Sequence, residues 1–379
     1  MLIGIHAKSL SERQPTGVGE YVWRLLQHML TLPEAREYRF RLYADKRLAF
    51  RAEGLVEDAW IGERILRAPL LWTQGRLAWE LARHAPDIFF TPQHVLPRTT
   101  PTQSVVTIHG LEFERYPQFY SWHERVYLRW VTKDAVRRAA HIIAVSQATK
   151  NDLTELYNVP EKKITVVYHG APTPLAQFSI SKSNFSPEGG SASGGQFPNI
   201  SGKPYFLYIG RIEMKKNVDG VVRAFEIAKE RYRLPHKLVL AGGDGHGAKN
   251  IKYQIANSKY GADVKLFGYV TDEQKWELLK NAEALVSPSW YEGFGLPILE
   301  AQTVGMPVIT SNVSAMPEVA GKGALYVNPA DPETIAEAMH RVASDATLRK
   351  NLIEKGKENC KRFSWETCAR ETLNVLCNL

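Results

Sequence analysis

Residues 288–312, PSWYEGFGLPILEAQTVGMPVITSN, set two carboxylates, Glu292 and Glu300, around a Gly-Phe-Gly-Leu-Pro turn. ALVSPS, which leads into it, reads as a buried strand. Pro297 suits a first helical turn and Gly305 a helix stop. The amides of Phe294, Gly295 and Leu296 would then point out of a helix N-terminus, a natural seat for phosphate. The glycines Gly293 and Gly295 let the backbone come close to it. Glu300 lies about one turn, about 5 Å, into that helix. Helical side chains lean toward the N-terminus, so its carboxylate reaches back beside the seat. A carboxylate there suits a pair of hydroxyls and repels phosphate. Glu292 can act alike on the other side, so the stretch would hold a sugar, a diphosphate and a ribose in a row. The plainer alternative is a capped helix with surface glutamates.

Other segments add chemistry. YFLYIGRIEMKKN, 205–217, is a strand followed by Gly210, Arg211 and Lys216, cations that would neutralise a diphosphate. Lys215, next door, could trade places with Lys216. PTGVGEYVWRLL, 15–26, is a glycine loop opening an amphipathic helix, with Gly17 and Gly19 placed for an anion or for a tight turn. It is not a full dinucleotide fingerprint, since Val22 stands where the third glycine would be. VVTIHGLEF, 105–113, puts His109 at the end of a buried strand, either as a structural residue or as a hydrogen-bond partner for a sugar. No Asp-x-Asp metal motif occurs.

The elements that position these residues alternate along the chain. MLIGIHA, RFRLYAD, DIFFTP, SVVTIHG, HIIAVS and ITVVYHG read as strands in the first half, YFLYIG, KLVLAGG, VKLFGYV, ALVSPS and PVITS in the second. Helical stretches such as 19–31, 121–139 and 218–231 lie between them. This predicts an α/β architecture of two doubly wound, Rossmann-like domains with ligands at the carboxyl ends of the strands. The expected boundaries are 1–177 and 204–363, joined by a Ser/Gly/Pro/Asn-rich linker at 178–203. With 379 residues, 44% of them hydrophobic, the chain has material for two cores.

MLIGIHAKSL turns polar too soon for a signal peptide, and no window approaches a membrane span. The three cysteines, Cys360, Cys368 and Cys377, lack metal-ligand spacing and read as reduced thiols of a cytoplasmic protein. The net charge of +8 suits nucleic acid, an anionic membrane or a phosphorylated substrate. No nucleic-acid-binding signature favours the first.

Taken together, these segments resemble the retaining glycosyltransferases of family 4, which have the GT-B fold of two Rossmann-like domains facing each other across a cleft. The resemblance spans nearly the whole chain: GVGEY 17–21, TIHGLEFERYP 107–117, IIAVSQATKNDL 142–153, ITVVYHG 164–170, GRIEMKKN 210–217, residues 267–311 and FSW 363–365. Its most specific part is the Glu-x7-Glu element, Glu292 to Glu300. It implies that Arg211 and Lys216 bind the diphosphate, Glu292 the transferred sugar and Glu300 the ribose. By the same resemblance, Gly293, Phe294, Gly295 and Leu296 lie along the diphosphate and sugar, and Gly19 approaches the phosphate. His109 would face the sugar, and the backbone of Tyr269 and Val270 would receive the base. Many members have Asp after this histidine, whereas Gly110 follows here, which leaves the acceptor contacts open.

The activity implied is metal-independent hexosyl transfer with retention, without a cofactor, from GDP-mannose or UDP-glucose to a glycan or lipid-linked acceptor. Same-face attack fits best, since no carboxylate in the first half stands out as a nucleophile. A sugar-nucleotide epimerase of the same fold and a non-catalytic sugar-nucleotide binder are the alternatives. A helix from about 364 would pack back on the first domain. YSWHERVYLRWVTKDAVRRAA, 120–140, spaces Arg125, Arg129, Lys133 and Arg137 along one helical face beside Trp122 and Trp130. Such a helix offers peripheral contact with an anionic membrane at its inner face. The other reading is an exposed helix whose aromatics belong to the core.

Overall fold

The computed structural model describes residues 1–11, 17–48, 60–68, 70–172 and 204–379. The expected linker at 178–203 lies outside them. Two compact units emerge, one taking Met1–Gly170 and Phe363–Leu379, the other ending at Arg362.

The first unit is built on a parallel sheet of seven strands: β1 (Leu2–His6), β2 (Arg39–Ala44), β3 (Ile61–Ile65), β4 (Ile88–Thr91), β5 (Ser104–Ile108), β6 (His141–Ala144) and β7 (Ile164–Val166). Their order is β3-β2-β1-β4-β5-β6-β7, and every pairing is parallel. Central strands are buried on both faces, which is why SVVTI and IFFT read as continuous apolar runs. Edge strand β3, IGERI, is largely exposed and carries charge in its middle, so no apolar run announced it. Helices at Gly17–Met29, Trp122–Arg138 and Gln147–Tyr157 fill the crossovers. Phe89, Val106, Ile108, Ile142 and Leu153 sit in one buried cluster between sheet and helices.

The helix Trp365–Cys377 belongs to this unit and packs along Gly17–Met29. The Trp365 ring stacks on His169 at 5.8 Å and lies 6.3 Å from Tyr21. Arg370 Nε donates to Glu34 at 2.9 Å.

The second unit holds β8 (Tyr205–Ile209), β9 (Lys237–Ala241), β10 (Val264–Gly268), β11 (Ala284–Ser287), β12 (Val308–Ser311) and β13 (Ala324–Val327). The order is β10-β9-β8-β11-β12-β13, again parallel throughout. Helix Val218–Tyr232 buries Val221, Val222 and Phe225 against Phe206, Leu238 and Ile309. The strand β13 escaped the sequence reading because ALYV is short and half exposed.

Candidate active site

In the second unit the strand order reverses between β8 and β11, the place where open parallel sheets bind ligands at their carboxyl ends. The chain leaves β8 through Gly210, whose φ is +146°, and passes against Gly242 after β9, whose φ is +151°. A Cβ on Gly242 would stand 1.9 Å from the Gly210 carbonyl oxygen, so only glycine fits that contact. Arg211 follows, exposed and in no ion pair among the described residues. Its carbonyl accepts from Tyr208 Oη at 2.8 Å. Burial, then the nearby Glu292 carboxylate, pushes the Tyr208 phenol well above its ordinary range, so it stays a neutral donor.

A short turn, Met214–Lys216, then aims its two lysines apart. Lys216 Nζ meets both carboxylate oxygens of Glu292 at 2.5 Å, while Lys215 Nζ lies 3.8 Å from Glu213. Ser289 Oγ donates to Glu292 Oε1 at 2.8 Å. The turn that carries Glu292 is braced on its backbone as well. Ser314 Oγ donates to the Glu292 carbonyl at 2.6 Å, and Asn217 Nδ2 reaches Pro288 O at 3.0 Å.

The helix runs from Leu296 to Thr303, capped by Gly295 in the left-handed region at φ +99°. That conformation lets the chain turn sharply out of the Glu292 loop into the helix. Glu300 lies on the buried side, and Lys275 Nζ donates to its Oε1 at 2.6 Å. Lys275 rides on the helix Asp272–Asn281, which opens with a capping box, Thr271 to Gln274, just beyond Tyr269 and Val270. The sequence reading missed Lys275. The only available signal was its place in the turn after that box, facing back toward a strand end. Each glutamate of the Glu-x7-Glu element is therefore held by a lysine from a different element, while Arg211, after β8, is exposed and in no ion pair among the described residues.

The first unit presents a different edge. Gly17 and Gly19 form the first turn of helix Gly17–Met29, which follows β1; residues 15–16 of that loop lie outside the described residues. His109 follows β5, and His94, absent from the sequence candidates, follows β4. His109 N–H donates to His94 Nε2 at 2.8 Å, and His109 Nε2 lies 3.0 Å from the Pro92 carbonyl oxygen. Burial, then the neighbouring His94 ring, lowers the His109 pKa to about 3, and burial lowers that of His94 too. Nothing in the spacing of PQHVLP marks His94; only its strand-end position could have.

Helix Trp122–Arg138 buries Val131, Thr132, Ala135 and Val136. Trp122 and Trp130, together with Val126 and Tyr127, stand on the solvent side, Trp122 at 70% exposure. That overturns the reading in which its aromatics serve the core. Of the four spaced cations, Arg129 pairs with Glu114; Arg137, 3.4 Å from Asp134, and Lys133, over the Tyr157 ring, are exposed. Among the described residues no helix is long and apolar enough to cross a membrane.

The sequence model of the family described as Glycosyltransferase Family 4 matches residues 15–173, and that of Glycosyl transferases group 1 matches 195–359. The O-antigen chain mannosyltransferase B of Escherichia coli is 29% identical over 82% of this chain and 80% of its own. The O-antigen chain mannosyltransferase RfbU of Salmonella typhimurium is 28% identical over 69% of this chain and 67% of its own. Among solved structures, the sucrose-phosphate synthase of Thermosynechococcus elongatus superposes with a TM-score of 0.73, covering 100% of this chain and 98% of that one at 19% identity, a likeness of fold. Two parallel-sheet units, a basic strand-end site around a Glu-x7-Glu turn and matches to both halves lead to one conclusion: the chain is a GT-B glycosyltransferase of family 4.

Proposed function

We propose that this glycosyltransferase moves a hexose, mannose before glucose, from a nucleoside-diphosphate sugar to a glycan or lipid-linked acceptor, with retention and without a metal ion. The observation that carries the reading is the meeting of Lys216 with Glu292 and of Lys275 with Glu300 around one glycine-capped helix start, with Arg211 exposed at the end of β8. A diphosphate at that start would find Arg211, Lys216 and the helix amides as countercharge. Glu292 would accept hydrogen bonds from the sugar and Glu300 from the ribose, each carboxylate's charge offset by its lysine. Tyr269 and Val270, at the carboxyl end of β10, would border the base. In the first unit Gly19 would serve phosphate and His109 the sugar. The mannosyltransferase names of the two relatives support GDP-mannose, with UDP-glucose next.

Retention would follow from same-face attack. The acceptor hydroxyl oxygen bonds to the anomeric carbon as the bond to the diphosphate oxygen breaks, and that oxygen takes the hydroxyl proton. Arg211 and Lys216 would stabilise the charge that grows on the diphosphate. Nucleotide release from GDP-, UDP-, ADP- and dTDP-sugars, with and without EDTA, tests donor and metal together. Loss of activity in EDTA, or conversion of the donor into an epimer without nucleotide release, would refute this reading. Proton NMR of the product anomer tests retention.

The Trp122–Arg138 helix would rest on an anionic leaflet, aromatics in the headgroup layer and Lys133 and Arg137 against lipid charge. Placement at the inner face of a cytoplasmic membrane would bring a lipid-linked acceptor within reach. Flotation with vesicles of anionic and of neutral lipid checks this, and equal recovery with both would remove the electrostatic part.

A further inference from the structure

The first unit holds a pair of imidazoles whose protons are fixed by their neighbours. The rings of His94 and His109 lie parallel within 5°, their centroids 5.7 Å apart. A carbonyl oxygen can only accept, so His109 Nε2, 3.0 Å from Pro92 O, carries a proton. A backbone amide can only donate, so His94 Nε2, 2.8 Å from His109 N, is bare and the neutral His94 ring carries its proton on Nδ1. What remains is one lone pair, on His109 Nδ1, and one N–H, on His94 Nδ1, neither with a partner among the described residues. Both rings are half-buried at the carboxyl ends of adjacent strands β4 and β5.

That combination selects its ligand. A phosphate oxygen would want two donors and a cation two lone pairs. A hydroxyl, like the water it would displace, both donates and accepts and so satisfies both atoms. We propose that His94 is a second hydroxyl-binding imidazole beside His109, donating from Nδ1 to a sugar hydroxyl. The assignment rests on the hexosyl-transfer reading above.

Two amide substitutions separate this role from mere support of the loop. His94→Gln places an oxygen where Nε2 was, keeps the bond from the His109 amide and loses the Nδ1 donor. His94→Asn places an N–H where Nδ1 was and loses the bond to the amide. The readout is kcat/KM for nucleotide release from GDP-mannose and UDP-glucose by the full chain, with melting temperatures to confirm folding. His94→Gln should lower kcat/KM about tenfold or more, and His94→Asn should recover most of that loss. The reverse order, equal losses or no loss in either variant overturns the role. Nitrogen-15 spectra of histidine-labelled protein give a test independent of turnover. They should show His94 protonated on Nδ1 and His109 on Nε2, and the opposite tautomers would overturn the role. Silence of the native protein with every donor would instead refute the hexosyl-transfer reading, and this role would fall with it.

Discussion

The carboxyl edges of the two sheets solve different problems with different chemistry. The second unit's edge is charged, with Lys216 on Glu292, Lys275 on Glu300 and Arg211 exposed after β8. The first unit's edge is built of imidazoles kept neutral by burial: His6, lowered to about 4, His94 and His109. An ionic edge suits a diphosphate whose charge grows during reaction. A neutral edge suits hydroxyls, which need oriented donors and acceptors and gain nothing from net charge. Sheets of like parallel architecture thus present two different edge chemistries, set by their strand-end side chains.

The largest test of that contrast removes the charges. Glu292→Ala, Arg211→Ala or Lys216→Ala should each cut transfer by about a hundredfold or more, read as kcat/KM on the preferred donor. Folded variants with near-native turnover would break the comparison at its ionic side. Lys275→Ala should act mainly on donor binding, raising KM about tenfold with less effect on kcat, because Glu300 would lose the cation that orients it. Lys275→Arg should restore much of this, and an unchanged KM would remove Lys275 from the site.

The neutral side makes a prediction in pH. The folded pKa of His109, about 3, and that of His6, about 4, lie below the ordinary 6.5. Their neutral forms are therefore favoured by folding. Stability from this source is complete above about pH 6.5 and is lost as pH falls toward 4 and below. Melting temperatures should drop over that window, and His109→Asn should flatten the drop; an unaltered slope would mean His109 charges without cost. The smallest expected effect is on the exposed helix. Replacing Trp122 and Trp130 together with Ser should shift stability by only about 0.5 kcal/mol, since both rings stand in solvent. Vesicle flotation should nonetheless fall, and an unchanged recovery would assign the aromatic face another use.

Most of this architecture was legible because buried parallel strands are runs of apolar residues, and those runs give both units. What stayed hidden was edge strand β3, with charge in its middle, and β13, too short to stand out. At the site, Glu292, Glu300, Arg211 and Lys216 were legible because glycines and prolines punctuate the turns that carry them. The backbone fold settles which lysine turns toward Glu292, since one residue of rotation separates Lys215 from Lys216. Lys275 and His94 carry no motif of their own, only a place after a capping box and after a strand. Lys275 meets a residue 25 positions away, and His94 one 15 positions away, so each contact exists only once the strands are side by side.

The placement of helix Trp365–Cys377 on Gly17–Met29 bears on how the protein is made. The first sheet has all its strands once Val166 has left the ribosome, but the side of its first helix that Trp365–Cys377 covers stays open until that helix emerges. Everything up to Arg362 is synthesised in between. During that interval Tyr21, buried in the finished protein, lacks its Trp365 neighbour, and the first unit is missing part of its apolar packing. Closure of the first unit therefore waits on a contact between segments far apart in the chain, the kind of contact whose loop-closure cost slows folding.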